Sequence, residues 1–331
     1  MKIVLDAMGS DNHPEPEISA AIVAVKLFGD EITLVGREEQ ISARLNAAAG
    51  DFQQIKIVHA AEIVTMTDKP AENARRKSDN SMAIGMDLVK SGEADAFITA
   101  GNTGGAMANA LFRLGRIRGV KRPALTALFP VKNGHCAVLD IGANADCKPE
   151  YLLQFAHLGA VYTDKVLRKQ NPRIGLLSNG EEAGKGNNLV KQTFPLLLNS
   201  GLNFIGNVEG KELFGGQADV VVTDGFTGNV LLKTSEAVAV MITDILKEEL
   251  TSSLITKIGA LLAKPAFGNI KKLMDPGEVG AIPLLGIDGL VFVGHGRSDA
   301  HALVNAIRVA RQAVEADLLT ALKDSIKTAL A

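Results

Sequence analysis

The stretch AFITAGNTGGAMANALF, residues 96–112, carries the pattern that decides the fold. Its first five residues form a short apolar run typical of a buried strand, and a turn rich in Gly and Asn then opens a segment of helical length. A turn of this kind presents backbone N–H groups at a helix N-terminus, where the helix dipole favours an anion. The stretch therefore predicts a strand, an anion-binding loop and a helix, in that order.

The same pattern occurs six times along the chain. The six loops are LDAMGSDN (5–12), ITAGNTGG (98–105), LDIGANADCKPE (139–150), LLSNGEEAGKGN (176–187), VTDGFTGN (222–229) and VGHGRSDA (293–300). Strands that alternate with helices are typical of βαβ units in a mainly parallel sheet covered by helices on both faces. Because ligands bind outside the carboxyl ends of such strands, loops lying side by side at one edge would form a phosphate-binding floor.

Apolar runs bounded by Gly or Asp predict nine strands, at Ile3–Leu5, Ile32–Val35, Ile55–Val58, Ala96–Ala100, Ala137–Leu139, Ile174–Leu177, Asn203–Ile205, Val220–Thr223 and Leu290–Val293. Helix-length segments between them include Pro14–Phe28, Ala71–Lys90, Glu150–Lys169 and His301–Lys327. We expect an α/β fold with three α/β/α layers, formed by a single unit over residues 1–331. Residues 235–275 form a helical excursion with no strand until about Leu290, and Pro265 is expected to divide it into two helices.

Composition narrows the class of protein. The 331 residues are 47% hydrophobic but only 4% aromatic, so the core must be built from Ala, Val, Ile and Leu. A net charge of -2 argues against a dedicated nucleic-acid binder. Cys136 and Cys147 fit neither a disulfide framework nor a metal spacing, which predicts a reduced cytoplasmic protein without a bound metal. The first residues begin a strand and show no signal peptide.

Standard nucleotide motifs do not fit the glycine loops. GEEAGKG (180–186) has too short a spacing for a P-loop and lacks the Ser or Thr that would hold magnesium. GHGRSD (294–299) has Asp where a dinucleotide fingerprint needs its third Gly, and no G-x-S-x-G elbow occurs. We therefore expect no nucleotide cofactor, and a small phosphate is the better ligand for these loops.

Polar residues of the loops have both a functional and a structural interpretation. Lys185, between two glycines, can pair with a phosphate or protonate a leaving group, or it can be a solvated surface lysine. The loop asparagines can donate to an oxyanion or simply cap helices, and the aspartates after strands are better explained as N-caps than as metal ligands. His295 can act as a base or make a structural hydrogen bond.

Two further segments suggest macromolecular contacts. A basic cluster follows the second loop and its helix, with a shorter run upstream; its members are Arg113, Arg116, Arg118, Lys121 and Arg122, and Arg75, Arg76 and Lys77. It can steer an acidic macromolecule to the site or be a set of solvated helix ends. In Thr251–Met274 the apolar residues Leu254, Ile258, Leu261 and Leu262 recur at helical spacing, and every charged residue is a lysine. This segment can lie in an anionic membrane interface or form a subunit contact.

Taken together, LDAMGSDN, ARRKSDNSM (74–82), ITAGNTGG, LDIGANAD with CKPE, GEEAGKGN, NFIGNVEG (203–210) and ADVVVTDGFTGNV (218–230) resemble the phosphate acyltransferase family of bacterial phospholipid synthesis. The resemblance covers essentially the whole chain. It implies a fold similar to isopropylmalate dehydrogenase and phosphotransacetylase, a homodimer, and reversible transfer of a long-chain acyl group from acyl carrier protein to inorganic phosphate. The acyl phosphate formed would serve the membrane glycerol-3-phosphate acyltransferase, with the enzyme held peripherally at the inner face of the cell membrane.

For this reaction Lys185 and Asn229 are the expected catalytic pair, as a cation or acid and as an oxyanion donor. The phosphate- or substrate-binding set is Asp6, Gly9, Gly101, Asn102, Thr103, Gly104, Asp140, Asn144, Asp224, Gly225, Thr227, Gly228 and His295. The basic cluster would bind acyl carrier protein. A short-chain phosphotransacetylase using coenzyme A, a decarboxylating dehydrogenase and a non-catalytic carrier-protein scaffold remain as alternatives.

Overall fold

A computed structural model of the chain describes residues 1–48, 50, 52–68, 79–132 and 134–329. Within these ranges the strands are β1 (Lys2–Asp6), β2 (Glu31–Gly36), β3 (Ile55–His59), β4 (Ala96–Thr99), β5 (Ala124–Val131), β6 (Gly134–Leu139), β7 (Ile174–Leu177), β8 (Phe204–Val208), β9 (Val220–Val222), β10 (Ala281–Leu285) and β11 (Leu290–Gly294). They form one sheet in the order β3-β2-β1-β4-β11-β10-β5-β6-β9-β7-β8.

The helices of the described ranges are α1 (Glu15–Phe28), α2 (Glu38–Ala47), α3 (Ser81–Lys90), α4 (Thr103–Arg113), α5 (Pro149–Lys165), α6 (Asn188–Leu198), α7 (Gly210–Gly215), α8 (Gly225–Thr251), α9 (Leu254–Met274), α10 (Pro276–Val279), α11 (Ala300–Glu315) and α12 (Leu318–Ala329). They cover both faces of the sheet. Successive side chains of a strand point to opposite faces of the sheet and pack in different hydrophobic cores. In β1, Ile3 and Leu5 belong to one buried cluster, and Val4 belongs to the other. The prediction of a three-layer α/β/α fold is confirmed.

The sheet consists of two parallel blocks that run in opposite directions. Strands β3, β2, β1, β4 and β11 pair in parallel, as do β6, β9, β7 and β8, whereas β10 and β5 join the blocks through antiparallel pairs. All nine predicted strands are present. The prediction of no strand between residue 235 and about Leu290 is wrong, because β10 lies in that interval. Strand β5 is likewise absent from the predicted set, and both strands contain a proline, Pro283 or Pro130, which resembles a strand breaker.

Opposite strand direction divides the six loops into two groups of three. The first group follows the neighbouring strands β1, β4 and β11, and the second follows β6, β9 and β7. The loops therefore do not form one floor along a single edge. Carboxyl ends of the two blocks would normally lie at opposite edges of the sheet, so the position of the groups depends on how the blocks are staggered.

The register of the central strands brings the two groups together. Phe292 of β11 pairs with Pro283, the adjacent Leu284 pairs with Leu125, and the adjacent Thr126 pairs with Leu139, the last residue of β6. One row across the sheet thus contains the end of β6 and a position two residues before the end of β11. At about 3.4 Å per residue, the carboxyl ends of the two blocks converge to within about 7 Å along the strand direction.

The helical excursion begins earlier than residue 235. Helix α8 starts at Gly225, directly after β9, and extends for 27 residues. Helix α9 continues through Pro265, which corrects the prediction of a break there; the proline removes one backbone N–H donor but does not end the helix. Among the described residues, none of the helices combines the length and apolarity that a bilayer-spanning segment requires.

Candidate active site

The first loop group is held together by a buried chain of hydrogen bonds. The Asp6 carboxylate accepts from the Thr99 hydroxyl at 2.7 Å and the Met8 N–H at 3.1 Å, and the Thr99 oxygen accepts from the Gly101 N–H at 2.9 Å. Burial raises the pKa of Asp6. A Cβ on Gly9 would lie 2.9 Å from the Gly101 nitrogen, so the loops touch there. Asp6 therefore positions the loops from inside the protein, and its assignment as a residue that binds substrate directly stays a prediction.

Helix α4 leaves two backbone donors unused at its N-terminus. The Asn102 side chain caps the helix by accepting from the Gly105 N–H at 2.9 Å, and its amide donates to the carbonyl oxygens of Thr65 and Met66, each at 3.1 Å. Among the described residues, the N–H groups of Thr103 and Gly104 have no protein partner. These two amides, at the positive end of the helix dipole, are available to an anion.

In the second group the amides of the loop after β6 are taken by Asp140. One oxygen of this buried carboxylate accepts from the backbone N–H groups of Leu125 (3.0 Å), Gly142 (3.3 Å) and Ala143 (3.0 Å), and the other from the backbone and side-chain nitrogens of Asn144 (2.7 and 2.9 Å). Burial raises the pKa of Asp140, and several of these donors oppose that shift. The Asp140 carboxylate is therefore the anion that these donors bind, and it positions the loop. Direct contact between Asp140 and a substrate stays a prediction.

The start of α8 packs on this loop and uses most of its own donors. The Gly225 N–H donates to the Asn144 carbonyl at 2.8 Å, and the Thr227 N–H and hydroxyl donate to the Asp224 carboxylate, both at 2.8 Å. The Gly228 N–H donates to the Asp224 carbonyl at 2.9 Å, and a Cβ on Gly228 would overlap the carbonyl oxygen of Asp140. The residues predicted to bind phosphate here form the contact between α8 and the loop after β6.

A small pocket separates the two loop groups at the row where the strand blocks meet. Its volume is about 130 Å³. It is lined by residues from α4 and β11 on one side and from β5, β10 and the loop after β6 on the other: Thr103, Gly104, Met107, Val293, Leu125, Leu284, Gly142 and Ala143. The unused amides of α4 thus lie beside a mainly apolar pocket to which both blocks contribute.

The two residues predicted to be catalytic are exposed side chains of the second group. Asn229 lies against the pocket wall, because a Cβ on Gly142 would be 3.8 Å from the carbon of its side-chain amide. Lys185 lies on the loop after β7, with its aliphatic stem over Gly180. The Lys185 N–H donates to the Glu182 carbonyl at 2.9 Å. No hydrogen bond between Lys185 and Asn229 occurs within the described part of the chain.

Neither His295 nor Cys147 presents an activated group. His295 is exposed, and its Nδ1 accepts from the Arg297 N–H at 3.2 Å, a contact that favours the turn-stabilising interpretation. Burial raises the pKa of the Cys147 thiol to about 12, and this thiol donates to the Asn144 carbonyl at 3.5 Å. A thiol with such a pKa stays protonated at neutral pH and is a poor nucleophile, so the site offers no cysteine for an acyl-enzyme intermediate.

The basic cluster is divided by its contacts. Arg113 is half-buried and forms an ion pair with Asp87 at 2.9 Å. Arg116 donates to the carbonyl of Lys121. The side chains of Arg116, Arg118, Lys121 and Arg122 are exposed, and none has an ion-pair partner within the described ranges. The upstream residues Arg75, Arg76 and Lys77 lie outside the described residues.

Four residues of the amphipathic segment are well exposed on α9. Leu254 is 76% exposed, Ile258 54%, Leu261 70% and Leu262 80%. A further exposed apolar set lies on α8, at Val238, Val240, Met241, Ile242 and Ile245. Exposed apolar patches are common where proteins contact membranes or other proteins.

A cluster of three glutamate side chains outside the pocket has the arrangement of a cation site. Glu181, Glu209 and Glu212 lie close enough together to share an ion. The ammonium of Lys211 occupies this position in the protein, at 2.8 Å from Glu181 and 3.1 Å from Glu212. A cationic side chain therefore already pairs with these carboxylates.

Apolar residues of the pocket wall were not predicted from the sequence. A single apolar residue in a sequence is interpreted as a core residue, because nothing in it distinguishes a pocket wall from packed interior. This applies to Met107, Leu125, Leu284 and Val293. A positional signal could have identified two of them, because Met107 and Val293 lie on elements next to a glycine loop, whereas Leu125 and Leu284 lie on β5 and β10, which the sequence pattern does not predict.

Comparisons with known proteins show which family and fold the chain resembles. A family model described as a fatty acid synthesis protein matches residues 1–321. The chain is 46% identical to the phosphate acyltransferase of Elusimicrobium minutum, with 98% of this chain and 96% of the relative covered. It is 48% identical to the phosphate acyltransferase of Dictyoglomus turgidum, with 96% and 95% covered. A phosphotransacetylase from Streptococcus pyogenes has a similar fold, with a TM-score of 0.60, 17% identity and 94% of each chain covered.

We expect Asp140→Asn to destabilise the protein, because the new side-chain NH₂ group would face the two nitrogens of Asn144 that now donate to the carboxylate. Loss of hydrogen bonds to a buried charged group should lower the free energy of unfolding by about 2–4 kcal/mol, measured by urea denaturation. Asp146→Asn, on an exposed side chain of the same loop, is the matched control and should change it by less than about 0.5 kcal/mol. Equal effects of the two substitutions would contradict the positioning role.

Proposed function

We propose, since this chain belongs to the phosphate acyltransferase family, that it transfers a long-chain fatty acyl group from acyl carrier protein to inorganic phosphate, forming the acyl phosphate used in phospholipid synthesis. The single observation that carries the proposal is the pair of unused amides at the N-terminus of α4, which open into an apolar pocket between the loop groups. An anion site beside an apolar site is what a reaction between phosphate and a fatty thioester requires.

Inorganic phosphate acts as the nucleophile in this proposal. Bound by the N–H groups of Thr103 and Gly104, a phosphate oxygen attacks the thioester carbonyl carbon, and the carbon–sulfur bond breaks as the acyl phosphate forms. Phosphate gives up one proton in this step and the departing sulfur takes up one proton, so the sulfur is released as a thiol and the protons balance. Positioning the two reactants together supplies much of the rate enhancement, so no covalent intermediate on the protein is needed.

Lys185 and Asn229 complete the proposed mechanism from the second loop group. Asn229, against Gly142 at the pocket wall, donates its amide N–H to the oxyanion that develops on the carbonyl. Lys185 is the only basic residue in its loop, and it provides positive charge or a proton to the departing sulfur. Closure of the loop after β7 toward the pocket would bring this flexible side chain to the reacting atoms.

The proposed activity is tested by thiol release. We expect release from palmitoyl-acyl carrier protein that depends on inorganic phosphate, with palmitoyl-coenzyme A and acetyl-coenzyme A much poorer donors. Lys185→Ala and Asn229→Ala should each lower turnover by roughly 10²- to 10³-fold, because each removes stabilisation made in the transition state. Lys191→Ala, an exposed lysine on the adjacent helix α6, is the control. Preference for acetyl-coenzyme A would support the short-chain alternative instead, and binding without thiol release would support a scaffold.

The exposed residues of the basic cluster are the proposed docking site for acyl carrier protein; they are Arg116, Arg118, Lys121 and Arg122. Arg118 and Arg122 have no competing ion pair in the described ranges, and the segment that carries them leads from α4, whose N-terminus lines the pocket, to β5 on its other side. An acidic carrier protein docked here would lie next to both walls of the pocket. Arg113, paired with Asp87, braces this surface and is a weaker candidate for direct contact.

Charge reversal separates carrier docking from phosphate binding. The double variant Arg118→Glu with Arg122→Glu should raise KM for acyl-acyl carrier protein roughly tenfold, as expected for two exposed charge pairs lost and made repulsive, and leave KM for phosphate unchanged. Lys327→Glu, at an exposed lysine of α12, is the control. An equal rise in both KM values would contradict docking at this cluster.

The exposed apolar residues of α8 and α9 support two further proposals. Helix α9 contains no acidic residue, and its exposed leucines and isoleucines are interspersed with lysines, so it is the proposed contact with an anionic membrane surface. The apolar face of α8 that contains Met241, Ile242 and Ile245 is followed by the acidic residues Glu248 and Glu249, which an anionic surface would repel. That face is the proposed contact between two copies of the chain.

Membrane contact is tested by flotation with liposomes that contain anionic phosphatidylglycerol. Wild-type protein should float with these vesicles, and the variant Leu254→Ser, Ile258→Ser, Leu261→Ser and Leu262→Ser should not, because each serine removes buried apolar area worth about 2 kcal/mol. Leu27→Ser, a 61% exposed leucine on α1, should float like wild type. Unchanged flotation of the fourfold variant, together with a loss of dimer in mass photometry, would assign α9 to the subunit contact.

A further inference from the structure

The pocket between the loop groups has a polar mouth and an apolar interior. Thr103 and Gly104 of α4 and Gly142 after β6 provide backbone and hydroxyl groups at one part of its wall. The rest of the wall is formed by side chains, with Leu125, Leu284 and Val293 almost completely buried and Met107 half-buried. A bound phosphate needs hydrogen-bond donors on every oxygen, so it fits the mouth but not the interior.

The apolar interior fits an alkyl chain better than the pantetheine arm of a carrier. Pantetheine carries two amide groups that need hydrogen-bond partners when they are buried, whereas methylene groups need none. A volume of about 130 Å³ accommodates about four methylene groups if each takes close to the ~30 Å³ of a water molecule. The interior is thus too small for a whole fatty chain and large enough for its first carbons.

We infer that this pocket binds the methylene groups next to the thioester carbonyl, with Met107 and Leu125 as the side chains that determine donor specificity. The inference rests on the proposed function, and it adds the part of the substrate that the pocket holds. With the first methylenes in the interior, the carbonyl carbon lies at the mouth, beside the Thr103 and Gly104 amides that hold phosphate. The remainder of a long chain leaves the pocket and contributes little to selection.

This arrangement gives a characteristic dependence on chain length. Each methylene buried in the pocket should raise kcat/KM about fourfold, so four of them give a rise of about 200-fold from acetyl to hexanoyl donors. Beyond hexanoyl the profile should level off, because further carbons lie outside the pocket. All donors are carried by the same acyl carrier protein, so that carrier docking is constant along the series.

Two variants test the pocket from opposite directions. Ala143→Leu fills the interior and should reduce the hexanoyl-to-acetyl ratio of kcat/KM from about 200 to below about 10, with KM for phosphate unchanged. Met107→Ala widens it, and should raise kcat/KM for a 3-methylbutanoyl donor relative to pentanoyl about tenfold, since a branched chain then fits. Leu198→Ala, an exposed leucine on α6, should leave both ratios unchanged. Circular dichroism and Tm identify a variant that fails to fold, and the second variant then decides.

Other outcomes overturn the inference in distinguishable ways. Equal loss of the acetyl and hexanoyl activities in Ala143→Leu would assign the pocket to the pantetheine arm. A flat wild-type profile from acetyl to hexanoyl, with normal phosphate-dependent release, would overturn the pocket assignment and leave the proposed function intact. Absence of thiol release from every donor would overturn the proposed function, and this inference with it.

Discussion

The row that links Phe292, Pro283, Thr126 and Leu139 across the central sheet is the constraint on which the site depends. It fixes the stagger between two parallel blocks that run in opposite directions. The carboxyl ends of the two blocks point in opposite directions, so the loop groups would lie at opposite edges of the sheet without the stagger that β10 and β5 set. With them, α4 from one block and the loop after β6 from the other form the walls of a single pocket.

A loop can bind an anionic ligand only where its backbone N–H groups are not already hydrogen-bonded to other groups of the protein. Asp140 accepts hydrogen bonds from the backbone N–H groups of its own loop, and Thr99 accepts one from the Gly101 N–H. At the start of α8 the backbone N–H groups donate to Asp224 and Asn144. Each of these contacts gives rigidity to a loop that would otherwise be flexible because of its glycines. Only at the N-terminus of α4, within the described residues, do two adjacent amides remain beside the pocket, and this asymmetry separates the ligand-binding loop from the loops that support it.

Local sequence pattern is sufficient to predict nine of the strands, the loops and the layered fold, because buried strands and capped helices are specified by residues close together in the chain. The sequence alone does not decide the role of Asn102, because an asparagine at this position can be an oxyanion donor or a helix cap. Its contacts with Gly105 and Thr65 show that it caps the helix. Strands β5 and β10 were missed because each contains a proline whose tolerance depends on neighbouring strands. The pocket wall depends on register between distant segments, which no single stretch encodes.

A crystal structure of the protein with inorganic phosphate bound would show whether the N-terminus of α4 holds phosphate at the junction of the two blocks. We expect phosphate oxygens about 2.8–3.2 Å from the backbone nitrogens of Thr103 and Gly104, with Asp140 still bound to the amides of its own loop. Phosphate bound instead at the start of α8, or in place of the Asp140 carboxylate, would contradict it.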